Sequence, residues 1–159
     1  MDFFLTIIHN YYLASAVCGW MVAQLIKIFT GFFKIQEFSV KTMLFGTGGM
    51  PSSHTSAICG LCTACAFAEG FGSANFAMSA VLAMVVMIDA TSVRRETGKQ
   101  SHALNLITAE LFDGDNTDND VHFKELIGHT PLQVVCGALT GIVTASLLHL
   151  IPIYQNFPL

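Results

Sequence analysis

Charge is scarce in this sequence: Asp, Glu, Lys and Arg make up 11% of its 159 residues. A soluble domain carries about 25%, so a water-facing coat over the whole surface is excluded. Basic runs are missing too. With seven scattered Lys and Arg and a net charge of −4, the chain cannot track a nucleic-acid backbone. No charged segment precedes the first apolar stretch, the first basic residue being Lys27, so a cleavable signal peptide is not expected. The five cysteines (Cys18, Cys59, Cys62, Cys65 and Cys136) all fall inside apolar segments. An odd number so placed excludes a disulfide framework. Cys59-x2-Cys62-x2-Cys65 has the look of an iron–sulfur run but lacks its following proline and fourth cysteine; these residues read as small side chains that let helices pack closely. The acidic stretch from Asp113 to Asp120 lacks the 12-residue spacing and closing Glu of a calcium loop. No metal, no cofactor and no internal repeat are expected.

What the chain does have is apolar sequence, 53% of it, in runs of roughly the 20 residues that a bilayer requires. The reading is all-α: a multi-pass membrane helix bundle forming one integral domain over residues 1–159. About four spans can be drawn, at 12–33, 52–71, 74–91 and 131–151. A cytoplasmic segment over 92–130 would hold a helical extension of the third span and then a loop. The second span is short and rich in Ser, Thr, Ala, Gly and Cys, so it should be buried among the others. Gly70 to Ser73 should form a tight hairpin. Gly137-x3-Gly141 offers a close-packing face. Residues 1–11 suit a short interfacial helix.

All seven basic residues (Lys27, Lys34, Lys41, Arg94, Arg95, Lys99 and Lys124) belong to one side of this arrangement. Residues 1–11, the hairpin and the C-terminus, on the other side, carry none. By the positive-inside rule the basic side is cytoplasmic and both termini lie opposite.

Two short segments on that basic side carry chemistry. In Gly48-Gly-Met-Pro-Ser-Ser-His54, glycines lead into Pro51, a preferred first helical residue, and then Ser52, Ser53 and His54. In Gly128-His-Thr-Pro-Leu-Gln133, His129 precedes a second helix start with Thr130 as N-cap. Helix N-termini present unpaired N–H groups and partial positive charge, and so bind phosphate. Two of them, each with a His, can converge on one anion, with Arg94, Arg95 and Lys27 as nearby cations. Thr130-x-x-Gln133 also fits a capping box. Lys27 shares a helical stripe with Gln24 and Lys34, and a lysine inside a span faces protein or a cavity. Asp89 shares a stripe with Glu96 and Gln100 near the inner boundary.

These segments, together with Asp89-Ala-Thr-Ser-Val-Arg-Arg95 and Lys124-Glu-Leu-Ile-Gly-His-Thr-Pro131, resemble the divergent branch of the type 2 phosphatidic acid phosphatases. That branch lies in the superfamily of lipid phosphate phosphatases and vanadium haloperoxidases. The resemblance runs from Gln24-x-x-Lys27 to the last span, with three motifs in the family's order. It implies a metal-free phosphomonoesterase acting through a phosphohistidine. Its P-S-G-H motif maps onto Pro51-Ser-Ser-His54, making His54 the general acid and placing phosphate oxygens on Ser52, Ser53 and neighbouring amides. His129 maps onto the nucleophile and Lys27 onto the first motif's lysine, while Asp89 or Glu125 would supply the negative charge that supports the imidazole. The superfamily's Arg six residues before the nucleophile is Phe123 here, leaving Lys124, Arg94 and Arg95 to bind phosphate. The first motif's Arg-Pro pair is absent, and the Asp four residues after the nucleophile is Gln133.

The implied function is hydrolysis of a phosphomonoester, a lipid phosphate above all, from the cytoplasmic side. The alternative is a catalytically inactive relative that binds, moves or scaffolds lipid phosphates. Implied partners are that phosphate ester and membrane lipid; a homo-oligomer is left open and nucleic acid is excluded.

Overall fold

In the computed structural model, residues 2–32, 49–112 and 128–155 are described, and no strand occurs among them. Their helices are α1 (Asp2–His9), α2 (Tyr11–Phe32), α3 (Ser53–Glu69), α4 (Ala74–Ile88), α5 (Arg94–Phe112), α6 (Pro131–His149) and α7 (Pro152–Gln155). A single π-helical turn, Asp89–Val93, joins α4 to α5, so the third span does continue into a polar helical extension. The loop expected at 113–127, with its acidic stretch and Lys124, lies outside the described residues, as do Lys34 and Lys41.

Three stretches are long and apolar enough to cross a membrane: Tyr11–Thr30, Ala74–Thr108 and Pro131–His149. The second expected span, α3, is different in kind. Its 17 residues reach about 25 Å at 1.5 Å per residue, the short end of what a bilayer core requires. It is the central post, packed on α2, α4 and α6.

The reason is side-chain size. Ser, Gly, Ala and Cys let backbones approach. A Cβ on Gly60 would meet the Ser15 carbonyl oxygen at 2.7 Å, and one on Gly19 would meet the Ser56 carbonyl oxygen at 3.0 Å. On the other side, Gly137 and Gly141 abut the Ser52 and Ser56 backbones. The Ser56 hydroxyl donates to the Gly19 carbonyl at 2.7 Å, so the close approach also satisfies a buried polar group.

Polarity is inverted relative to a soluble protein. Among the described residues the interior holds Ser15, Gln24, Ser52, Ser53, Thr55, Ser56 and Ser79 beside mostly small apolar residues such as Ala23, Ala64 and Ala145, and its apolar cluster is built on Ile58, Cys59 and Ala83. Leu13, Val17, Met21, Leu25, Val81, Leu139, Val143 and Leu147 face outward. An exterior this apolar needs lipid against it.

These pairings run α2 antiparallel and α6 parallel to α3. One end of the bundle therefore collects Lys27, Gly49–His54, Asp89–Arg95 and Gly128–Thr130. The other end is tied by Tyr12, whose hydroxyl donates to Glu69 Oε1 at 2.6 Å, and by Asn75 Nδ2, which donates to the same carboxylate at 2.8 and 3.0 Å. The hairpin between α3 and α4 turns at Gly70 (φ 84°), and the Ser73 side chain accepts from the Phe76 N–H at 3.1 Å.

Candidate active site

At the motif-bearing end, a cavity of about 380 Å³ is lined by Ser52, His54, Ala57, Ile58, Val85, Val86, Asp89, Ala90 and His129. The two helix starts expected to converge are thus neighbours in space. Ser52 precedes α3 and His129 precedes α6. The Ser52 N–H donates to the Gln133 carbonyl at 3.0 Å, fastening one start to the other. The positive ends of two helices come together at one place, and the first-turn N–H groups of α3 have no side-chain cap.

His129 is buried, 7% exposed, and its ring is held from one side. Gln133 Oε1 lies 3.2 Å from His129 Nδ1 and also accepts from the Thr130 N–H at 2.9 Å. A backbone N–H can only donate, so the atom facing it must be the amide oxygen, and that same oxygen faces Nδ1. Nδ1 therefore carries a proton, and in the neutral ring Nε2 carries the lone pair. The Thr130 hydroxyl completes the capping box by accepting from the Gln133 N–H at 3.4 Å. Gln133 is a cap and an imidazole-orienting group at once.

The backbone of His129 is held by a feature with no signal in the sequence. Its N–H donates to the Ala90 carbonyl at 3.1 Å, and Ala90 sits in the π-helical turn. Such a turn carries one residue more than an α-turn and releases backbone groups from the regular ladder. Hydroxyls take up part of what is released: Thr91 donates to the Met87 and Ile88 carbonyls at 2.9 and 3.3 Å, and Ser92 to Ile88 at 2.6 Å. Gly128 makes the approach feasible, since a Cβ there would stand 2.5 Å from the Cα and N of Arg95.

The other expected residues occupy different depths of this end. His54 lines the cavity from the first turn of α3 and is exposed. Asp89 lines it from the start of the π-turn and is half-buried. Ser52 is fully buried and its hydroxyl accepts from Thr55 Oγ1 at 2.9 Å, not from a backbone N–H of the helix it precedes. Ser53 is buried and is not among the cavity's lining residues. Lys27, half-buried, lies outside the lining as well, but its stem runs beside the first motif: a Cβ on Gly49 (φ +84°) would stand 3.2 Å from Lys27 Cγ and Cδ. Arg95 is exposed at the start of α5, with its backbone against Gly128. Arg94 opens the same helix. Lys124 and Phe123 fall outside the described residues.

A family profile, described as the divergent PAP2 family, matches residues 8–144. The chain belongs to the divergent PAP2 family. All the cavity-lining residues fall within the matched region. An uncharacterized membrane protein, YuiD of Bacillus subtilis (strain 168), is 35% identical over 149 residues, covering 87% of this chain and 94% of that protein. No solved structure matches the chain. Membership and the membrane-protein relative fit the membrane-crossing helices.

Proposed function

We propose that this divergent PAP2 protein is a metal-independent phosphatase that hydrolyses a phosphomonoester, a lipid phosphate by preference, through a phosphohistidine. One observation carries the reading: Ser52, His54, Asp89 and His129 line a single cavity at two helix starts. In this scheme His129 Nε2 attacks phosphorus as the bond to the leaving oxygen breaks, and His54 gives that oxygen its proton. Water then attacks the phosphohistidine, returns a proton to His54 and releases inorganic phosphate. Two displacements replace one difficult step. Helix-start amides and Lys27 neutralise the charge spread over the phosphoryl oxygens. Asp89 supplies the negative charge for the imidazoles that Gln133, being neutral, does not. Arg94, Arg95 and Lys124 complete the phosphate-binding set.

The deciding experiment is phosphate release by detergent-purified protein from a panel of lipid phosphates without added metal. Release that follows head-group identity supports the scheme. No release by folded protein, and no binding of millimolar vanadate, a mimic of the trigonal transition state, would leave the second reading, an inactive relative that binds, moves or scaffolds lipid phosphates. That reading is favoured by one observation in the sequence: Phe123 and Gln133 stand where the superfamily has an Arg and an Asp.

Gln133 gives a sharper prediction. Gln133→Ala removes the acceptor from both His129 Nδ1 and the Thr130 N–H, and phosphate release should fall at least about tenfold, as expected when an imidazole loses its orienting partner. Gln133→Glu keeps an oxygen at that reach and should recover most of the loss. Equal activity in wild type and Gln133→Ala would remove Gln133 from the mechanism.

We place the cavity on the cytoplasmic face with both termini opposite. The described basic side chains Lys27, Arg95 and Lys99 belong to the cavity's end of the chain path, which the positive-inside rule assigns to the cytoplasm. In a cysteine-free background, a single cysteine at position 72 should react with an impermeant thiol reagent added to intact cells, and one at position 116 should not. The reverse pattern would invert the topology.

A further inference from the structure

The cavity has two chemically different halves, and they are stacked along the membrane normal. Its polar groups, Ser52, His54, Asp89 and His129, sit at the end of the bundle. Ala57 and Ile58 follow His54 by three and four residues on one stripe of α3. Val85 and Val86 precede Asp89 by four and three on the facing stripe of α4. One helical turn is about 5.4 Å, so both apolar pairs lie one turn deeper toward the membrane interior than the polar groups. Small-molecule sites are mostly apolar with a few placed polar groups, but here the segregation is by depth.

The cavity is also open to the side. Among the membrane-crossing helices α4 is peripheral, packing chiefly on α3. Val85 on the cavity's lip is 55% exposed and Leu82, one turn deeper on the same stripe, is 49% exposed. On a span these residues face lipid. Below, the seam is closed by the cluster of Ile58, Cys59 and Ala83, with Val86 and Met87 against it. Toward the aqueous end, the bond from the His129 N–H to the Ala90 carbonyl ties the start of α6 across the π-turn. A soluble phosphate ester has no use for an apolar half that faces away from water, whereas an amphiphile fills both halves at once.

We infer that the site takes a phosphate-headed amphiphile sideways from the bilayer through the seam between α3 and α4, with the start of its hydrocarbon chain against Ala57, Ile58, Val85 and Val86. The inference rests on the phosphatase reading of this cavity for its head-group chemistry. The seam itself can be tested by binding alone.

The full-length protein in detergent is titrated with dioleoyl and dibutyryl phosphatidic acid, which share a head group and differ in chain length, and bound lipid is read by native mass spectrometry. Phosphate release is followed in parallel. Wild type should bind the long-chain lipid at least tenfold more tightly than the short one. Ala57→Phe fills the apolar half and Val85→Trp narrows its lip, and each should shrink that preference at least fivefold. Val85 is exposed, so Val85→Trp carries little risk to folding. No chain-length preference in wild type, or a preference unchanged in both variants, overturns the inference. A preference that collapses in the variants while no protein releases phosphate upholds the seam and defeats the phosphatase reading.

Discussion

His129→Ala is expected to abolish phosphate release while leaving the bundle folded. The two effects separate because different parts of the residue do different work. The backbone N–H of His129 holds the Ala90 carbonyl at 3.1 Å, and alanine keeps that bond. The cap of α6 stays intact as well, since Thr130 and Gln133 bond each other without the imidazole. What is lost is the ring whose Nδ1 faces Gln133 at 3.2 Å and whose Nε2 is assigned the attack on phosphorus. Loss of a covalent nucleophile costs more than about 10⁴-fold in kcat where it has been dissected, so turnover should fall below detection. The measurement is single-turnover phosphate release from a lipid phosphate, with monodispersity and thermal unfolding in detergent as the folding control. Turnover equal to wild type in a folded His129→Ala protein would rule out the nucleophile assignment.

The sequence makes some of this legible and not the rest, and the division has physical causes. Hydropathy reports contact with lipid, so α2, α4 and α6 are visible at once, as is the confinement of Lys and Arg to one side. The helix starts at Ser52 and Thr130 are visible because proline, hydroxyl and glycine signals are local. The central place of α3 is also readable, since a segment of Ser, Thr, Gly and Cys gains nothing from facing lipid.

The π-turn at Asp89–Val93 is invisible because local sequence hardly distinguishes it from an α-turn. It is coupled instead to a distant N–H, that of His129, which takes the Ala90 carbonyl. The double use of Gln133 is hidden for a similar reason. Its spacing from Thr130 predicts the cap, but only the placement of His129 shows that the same oxygen also faces the imidazole. Gly128 looks like a flexible loop residue and is in fact a fitted one, pressed on Arg95.

The largest effect on assembly is expected at Gly141, where α6 crosses α3. A Cβ at this position would meet the Ser56 carbonyl and stand 2.8 Å from the Gly60 nitrogen. Both are backbone atoms of a central helix, which cannot rotate aside as a side chain would. Gly141→Leu therefore has to push α6 off α3, and overpacking of this kind costs about 1–3 kcal/mol even where side chains can yield. The displacement would also pull on the 3.0 Å bond from the Ser52 N–H to the Gln133 carbonyl, so the two helix starts would separate and the cavity between His54 and His129 would lose its shape. Thermal unfolding in detergent should drop by more than about 5 °C, taking roughly 2–4 °C per kcal/mol for a chain of this size, and phosphate release should fall with it. Gly72→Leu is the matched control: nothing lies within 4 Å of a Cβ there and its φ is not positive, so the hairpin should accept it with little change. A Gly141→Leu protein as stable as Gly72→Leu would mean that α3 and α6 are not in backbone contact, and the geometry that brings the two histidines to one cavity would fail with it.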